Sequence, residues 1–379
     1  MGAVLTPQRV AGLAILAVIG VFPYLYEIPP FDAVLDPFRT FQATRLAIWL
    51  VVLLGLNLLT GYSGQISLGH GALVAIGAYT TAVLMDQFGV PVVVAILAAG
   101  FFTGAIGFLI GIPALRLTGP YLAIATLAMM LALPQILKLN GIRDYTGGVS
   151  GILLSTPRAP ASVEGFMTDR QWLYYSCMVP AVIMTVLAWN ITRGHVGRAF
   201  IALRDTEIGA QQMGVNVPLY KMIAFALSAF YAGIGGGLFV FTEAFMSPDT
   251  FDVNLSITML VVVVLGGLTS IAGTVFAAFV MTFRNDFVDA LASLGVLDLL
   301  GDVVPGKEQS PDTLRGAVYG LLLILTIVFM PRGLAGFVHE LREKQLWRKI
   351  RRGWRPGPFR PVSIGTRPNP SDAPADLTK

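Results

Sequence analysis

RGHVGRAFIALRDTEIGAQQMGVNVPLYK, from Arg193 to Lys221, is a polar, charged island set between long apolar runs. On either side the chain is written for lipid. Apolar stretches of about 20 residues, the length that crosses a bilayer, recur from near the N-terminus to Met330. With 55% hydrophobic and 13% charged residues and a mean hydropathy of +0.72, the chain lies far from the soluble average of ~25% charged. It reads as an all-α polytopic membrane protein with no room for a soluble catalytic domain, and the island is what it holds outside the lipid. Cys177 is the single cysteine and sits in an apolar run, which excludes an intrachain disulfide and a Cys-rich metal site.

Apolar runs read against Gly, Pro and charge breakers predict spans near Val10–Ile28, Leu46–Thr60, Ile66–Met85, Val90–Ile112, Gly119–Leu137, Trp172–Ile191, Met222–Phe241 and Leu314–Met330. The run Leu255–Phe283 has two halves hinged at Gly266 and Gly267. Charge sets its topology. The tail after Met330 carries eleven Lys or Arg and is expected in the cytoplasm. If the island is cytoplasmic too, an even number of crossings separates the two, so Leu255–Phe283 must go over and back. The expectation is then about ten transmembrane or re-entrant helices with both termini cytoplasmic. Residues 1–331 form the transmembrane domain, with the island 193–221 as its loop, and 332–379 form a basic, then Pro-rich tail that is partly disordered. The first apolar run is retained, because the residues after it lack the small-residue spacing of a peptidase site.

Gly100, Gly104, Gly107 and Gly111 fall on one helical face and suit close approach of a neighbouring helix. Ser228, Ala232, Gly235 and Gly236 form a second such stripe. GYSGQISLGHG, Gly61–Gly71, is of another kind. Glycines and hydrogen-bonding side chains at the start of a span leave backbone that lipid cannot satisfy, so this segment faces protein or water. Tyr62, Ser63, Gln65, Ser67 and His70 are candidate substrate-path residues, because interrupted polar helices line transporter pathways and ionisable groups inside spans are functional candidates. A helix boundary with His70 bonded to a neighbouring span is the plainer reading. Tyr121 and Thr126 are the only side-chain hydroxyls of Gly119–Ala128 and join the candidates. Gly301–Glu308 matches a phosphate-loop pattern but has Glu308 where magnesium needs Ser or Thr, and no strand precedes it.

The island itself predicts a helix-turn-helix. Asp205 and Thr206 suit N-caps, Glu207 adds negative charge to a first turn, and Gly214 suits the left-handed residue after a short helix through Met213. Such a helix offers a small knob and charged contacts to a partner groove.

The series E-I-G-A-x-x-M-G, Glu207–Gly214, following A-L-R-D resembles the coupling loop of ABC importer permeases. With LTGYSGQISLGHGALVAIGAYT (Leu59–Thr80), LTGPYLAIATLA (Leu117–Ala128), FALSAFYAGIGGGL (Phe225–Leu238) and VLGGLTSIAGTVFAA (Val264–Ala278), the chain resembles the branched-chain amino acid permeases, the LivH/LivM family, LivM type. Gly209 stands where the generic loop has Ala. The resemblance implies a transport subunit with no catalytic residues of its own in the bacterial cell inner membrane. It implies a second, LivH-type permease chain, two ABC ATPase subunits that bind the ATP and magnesium, and a periplasmic substrate-binding protein. It calls for lipid but no nucleic acid, metal or resident cofactor. Arg204, Asp205, Glu207, Ala210 and Gly214 are then the ATPase-coupling residues. Urea or short-chain amides remain alternative substrates, and an autonomous channel or secondary transporter is the alternative of another class.

Overall fold

A computed structural model describes residues 37–284 apart from 118, 155–156 and 161–165, together with Gly20, Phe22, Pro23, Asp286, Gly320 and Ile324. But for those few positions, the expected spans Val10–Ile28 and Leu314–Met330, the acidic insert Leu297–Asp312 and the tail from Arg332 lie outside the described residues. Within them the chain is mostly helical. Six stretches are long and apolar enough to cross a bilayer, Phe38–Tyr62, Val92–Ala114, Pro120–Leu137, Asp169–Arg193, Val217–Phe241 and Pro248–Gly266.

Helix α1 (Pro37–Leu56) widens into a π-helical turn over Asn57–Tyr62. It is followed by α2 (His70–Asp86), α3 (Val92–Ala114), α4 (Pro120–Leu137) and the short α5 (Arg143–Thr146). Strand β1 (Ile152–Leu153) precedes α6 (Asp169–Arg193), α7 (His195–Asp205), α8 (Glu207–Gln212) and α9 (Val217–Leu238). Strand β2 (Phe245–Met246), α10 (Val253–Gly266) and α11 (Ile271–Thr282) complete the described fold. The two strands pair antiparallel, Ile152 with Met246. An all-helical expectation omitted this two-residue clip, which joins the loops before α6 and after α9. Lys138 Nζ to Asp249 Oδ1 at 2.7 Å ties the same two loops.

Helix α9 is the hub, because its glycines let three helices reach its backbone. An added Cβ at Gly233 would lie 2.8 Å from Ala99 O of α3, one at Gly235 would lie 2.5 Å from Val52 Cγ2 of α1, and one at Gly236 would strike Val74 O of α2. The α3 stripe answers it. A Cβ at Gly100 would sit 2.6 Å from Ile234 Cδ1, one at Gly107 would meet Phe225 O and Ala229, and one at Gly111 would come 2.9 Å from Met222 Cα. Residue numbers rise along α3 as they fall along α9, so the two run antiparallel. In lipid no hydrophobic effect separates helix from solvent, and this close van der Waals contact between small residues carries the association.

The run Leu255–Phe283 doubles back, as the hinge predicted. Gly267 at φ 112° and Thr269 at φ 65° make the turn, and Ser270 caps α11 by accepting from Gly273 N at 3.0 Å. Leu255 at the start of α10 and Arg284 beyond α11 line one cavity, so both arms begin and end on the same side. The second arm is short, at about 18 Å for twelve residues, against the ~30 Å of a hydrocarbon core. The described residues therefore show a helical hairpin there rather than two full crossings.

Candidate functional site

Two polar regions interrupt this apolar framework, and they touch. The island forms α7 and α8. Thr206 is the cap of α8, extended at φ −160°, ψ 123°, its Oγ1 accepting from Gly209 N at 2.7 Å. Asp205 is not a cap. It ends α7 and pairs with Arg204 at 3.0 Å on an exposed surface. After Met213 the chain turns at Gly214, φ 82°, the left-handed conformation glycine adopts without strain. Asn216 then caps α9, accepting from Leu219 N at 3.2 Å. Ala210 is buried against the body, while Ile208 and Met213 are 74% and 86% exposed on the tip.

Beneath α8 lies a contact that no local pattern announces. Glu207 Oε1 meets Lys221 Nζ at 2.7 Å, with the Lys221 side chain only 4% exposed. A lysine buried near the start of a membrane helix needs this half-exposed partner, because removing the partner of a buried charge strands it. It fastens α8 to α9, the hub. The exposed Ile208 and Met213 are a signal the sequence also carries, since two large apolar residues inside a polar island mark protein contact.

The second region is the break between α1 and α2. Ser63 Oγ donates to Leu59 O at 2.7 Å, Gln65 Nε2 to Ser63 Oγ at 3.1 Å, and Thr60 Oγ1 to Gln65 O at 3.2 Å. Gln65 Oε1 is buried with no hydrogen-bond partner among the described residues. The expected span from Ile66 starts late, since residues 63–69 are not helical and the helix begins at His70. It begins deep. His70 is fully buried, with Nε2 3.0 Å from Val52 O and Nδ1 3.4 Å from Ser228 Oγ, both near the middle of their helices. A carbonyl only accepts, so Nε2 carries the proton and Nδ1 accepts from Ser228.

Hydroxyls from two other helices and from Ser67 cap this deep N-terminus. Leu68 N donates to Thr126 Oγ1 of α4 at 3.0 Å, Gly69 N to Ser67 Oγ at 3.3 Å, and Gly71 N to Ser256 Oγ of α10 at 3.0 Å. Lipid supplies no such partners, so the protein must. The structure thus brings Ser63, Gln65, Ser67, His70 and Thr126 into one buried neighbourhood and adds Ser256. Tyr62, also buried, lies beside Thr192 and Arg193 at the end of α6. Tyr121 stands apart, 71% exposed on the flank of α4. Asn57 locks the region to the hairpin hinge, bonding Thr274 Oγ1 at 2.6 Å, Ser270 O at 3.2 Å and Thr269 N at 3.2 Å. The break and the island meet at Gly64, φ 74°, where an added Cβ would lie 2.7 Å from Arg204 Cγ. Among the described residues no group of three or more His, Cys, Asp or Glu converges as a metal site would.

This arrangement holds polar backbone at depth and exposes a capped helix outside, which suits passage of a solute and contact with a partner rather than bond chemistry. Residues 39–327 match the model of the branched-chain amino acid transport system permease component. The chain belongs to this permease family. It is 31% identical over 313 residues to the high-affinity branched-chain amino acid transport system permease protein LivM of Escherichia coli K12, covering 77% of this chain and 68% of that one. LivM of Salmonella typhimurium LT2 is 32% identical over the same shares. The autoinducer 2 import system permease protein LsrC of Enterobacter sp. strain 638 is 29% identical over 320 residues, 77% of this chain and 85% of its own. No solved structure matches. A multi-pass membrane permease, the chain is a transport subunit of an ABC importer and not an enzyme.

Proposed function

We propose that this permease imports branched-chain, hydrophobic amino acids across the bacterial inner membrane by ATP-driven alternating access. The similarity to LivM over most of the chain carries the substrate reading. In this reading a second, LivH-type permease chain completes the pathway and a periplasmic binding protein delivers substrate. Two ABC ATPase subunits hold the ATP and magnesium, and the chain itself needs no cofactor. Both termini and the island are cytoplasmic, residues 1–331 form about ten transmembrane or re-entrant helices, and 332–379 are a cytoplasmic tail.

The exposed Ile208 and Met213 on α8 support an ATPase groove as the occupant of the island tip. Arg204, Asp205, Glu207 and Gly214 border that tip, and Ala210 seats the helix from behind. The Lys221–Glu207 pair then carries a pull on α8 into α9, and the Gly64–Arg204 contact carries it to the break, where Tyr62, Ser63, Gln65, Ser67, His70 and Thr126 border the pathway. Tyr121, exposed on α4, is a pathway candidate set apart from these. Proteoliposomes holding both permeases, the ATPases and the binding protein should take up leucine only with ATP. Uptake by the purified chain alone would overturn the reading. Ile208→Glu should abolish co-purification of the ATPase while leaving membrane insertion normal, because the side chain is mostly exposed. Unchanged co-purification would put the coupling surface elsewhere.

A further inference from the structure

At the end of the fold opposite the island, the start of α1, the end of α9, the approach to α10 and the end of α11 enclose a cavity of about 250 Å³. Three aromatic side chains wall it. Trp49 and Phe251 each set an edge against Phe239, with ring centres 5.1 Å and 6.3 Å apart, and all three are buried. Arg45, Arg284 and Glu243 line the same cavity. Among the described residues the buried Nε of Arg45 has no hydrogen-bond partner and Glu243 forms no ion pair. Nearby, Gln42 Nε2 donates to Asp286 Oδ2 at 2.9 Å, pinning the start of α1 to the chain beyond α11.

A buried donor without an acceptor calls for an explanation, and an anionic ligand supplies one. A guanidinium fork matches a carboxylate, and a carboxylate matches an ammonium group. The aromatic wall takes what is apolar between and beyond them. Drug-sized ligands occupy about 300 Å³ or more, so this space suits a smaller solute. We infer that the cavity is a binding site for a single zwitterionic α-amino acid with an apolar side chain. Arg45 faces its carboxylate, Glu243 its ammonium, and Trp49, Phe239 and Phe251 its side chain. The inference rests on the importer reading above and adds a place on this chain where substrate is first received.

The test uses the complete transporter in proteoliposomes with its binding protein. Arg45→Gln and Glu243→Gln should each lower leucine uptake about ten- to a hundredfold, the loss expected for a charge-assisted hydrogen bond, whereas Arg45→Lys keeps most of it. In the unmutated complex a diazirine analogue of leucine should label the segments around Trp49, Phe239 or Phe251 during turnover, and excess leucine should remove the label. Wild-type uptake by both Gln variants, or label that is absent from these segments or persists against leucine, overturns the site. Should the Gln variants fail to assemble, the labelling alone decides. A complex that imports another solute but no leucine overturns the substrate reading and the site together, while leucine uptake without labelling here overturns the site only.

Discussion

The island Arg193–Lys221 and the break Asn57–Gly71 are both polar interruptions of an apolar chain, yet they satisfy their polar groups in opposite ways. The island's bonds are mostly local, Thr206 to Gly209, Asn216 to Leu219 and Arg204 to Asp205, and its one reach of any length is Lys221 to Glu207. The break relies on distant partners. His70 bonds Val52 and Ser228, Leu68 bonds Thr126, Gly71 bonds Ser256, and Asn57 bonds three residues at the hairpin hinge. Outside lipid an unmade bond falls back on water, whereas at depth it must find protein. The island's fold is therefore set mostly within itself, with Lys221 as its tie to α9, but the break cannot move without carrying α1, α4, α9 and the hairpin with it.

The sharpest way to break this contrast is at Asn57. Asn57→Ala removes three bonds and leaves the part-buried Thr269 N–H without its acceptor, while the Thr274 hydroxyl keeps its bond to Ser270 O. At about 0.5–1.5 kcal/mol for each of the three bonds, the loss should be about 3 kcal/mol. The thermal midpoint of the purified complex should drop by more than for any island variant below, and an island change of equal size would refute the contrast.

Next in size is Gly64→Ala, at the point where the two regions touch. A non-glycine residue at φ 74° is strained by about 1–2 kcal/mol, and the new methyl group crowds Arg204. Pairing it with Arg204→Ala should restore part of the loss, because the crowding is shared while the backbone strain is not. A double-mutant cycle on ATP-driven uptake should give an interaction of about 0.5 kcal/mol or more. Strict additivity would mean that the contact transmits nothing between island and break.

The same contrast explains what could be read in advance. The cap at Thr206, the stop at Gly214, the small-residue face of α3 and the hinge at Gly267 are local signals, and each lies where its pattern put it. Asp205 was placed as a cap because its residue type suits one, but only Thr206 has the extended backbone that a cap needs. The deep start of α2 was not legible, since hydropathy runs on through Ile66–Met85 while the helix waits for His70. Nothing in the sequence pairs Gly71 with Ser256, 185 positions away, or Glu207 with a lysine under another helix. Candidate residues were recognisable by type, and their neighbours only by folding.

A smaller effect separates the local bonds of the island from its body. Thr206→Ala removes the side-chain acceptor from Gly209 N and should destabilise α8 by about 1 kcal/mol, a usual value for a lost cap. Since that bond reaches no other helix, the thermal midpoint of the complex should scarcely move. Hydrogen exchange should quicken at Gly209 and Ala210 alone, and quickening that spread into α9 would mean that the island is not a separate unit.

The smallest expected effect is at Asp205. Its carboxylate pairs with Arg204, but both side chains are substantially exposed, at 59% and 36%, and exposed pairs contribute about 0–1 kcal/mol. Asp205→Asn should leave the thermal midpoint and the hydrogen exchange of α7 and α8 unchanged. That insensitivity makes it a clean probe, because any weakening of ATPase co-purification then reports contact and not folding. Arg204 would be freed in the same variant, so Arg204→Gln serves as its control. If the ATPase reads the carboxylate, only Asp205→Asn weakens association. If it reads the guanidinium, only Arg204→Gln does. Loss in both would make the pair itself the feature recognised, and loss in neither would leave the apolar tip of Ile208 and Met213 to carry the contact.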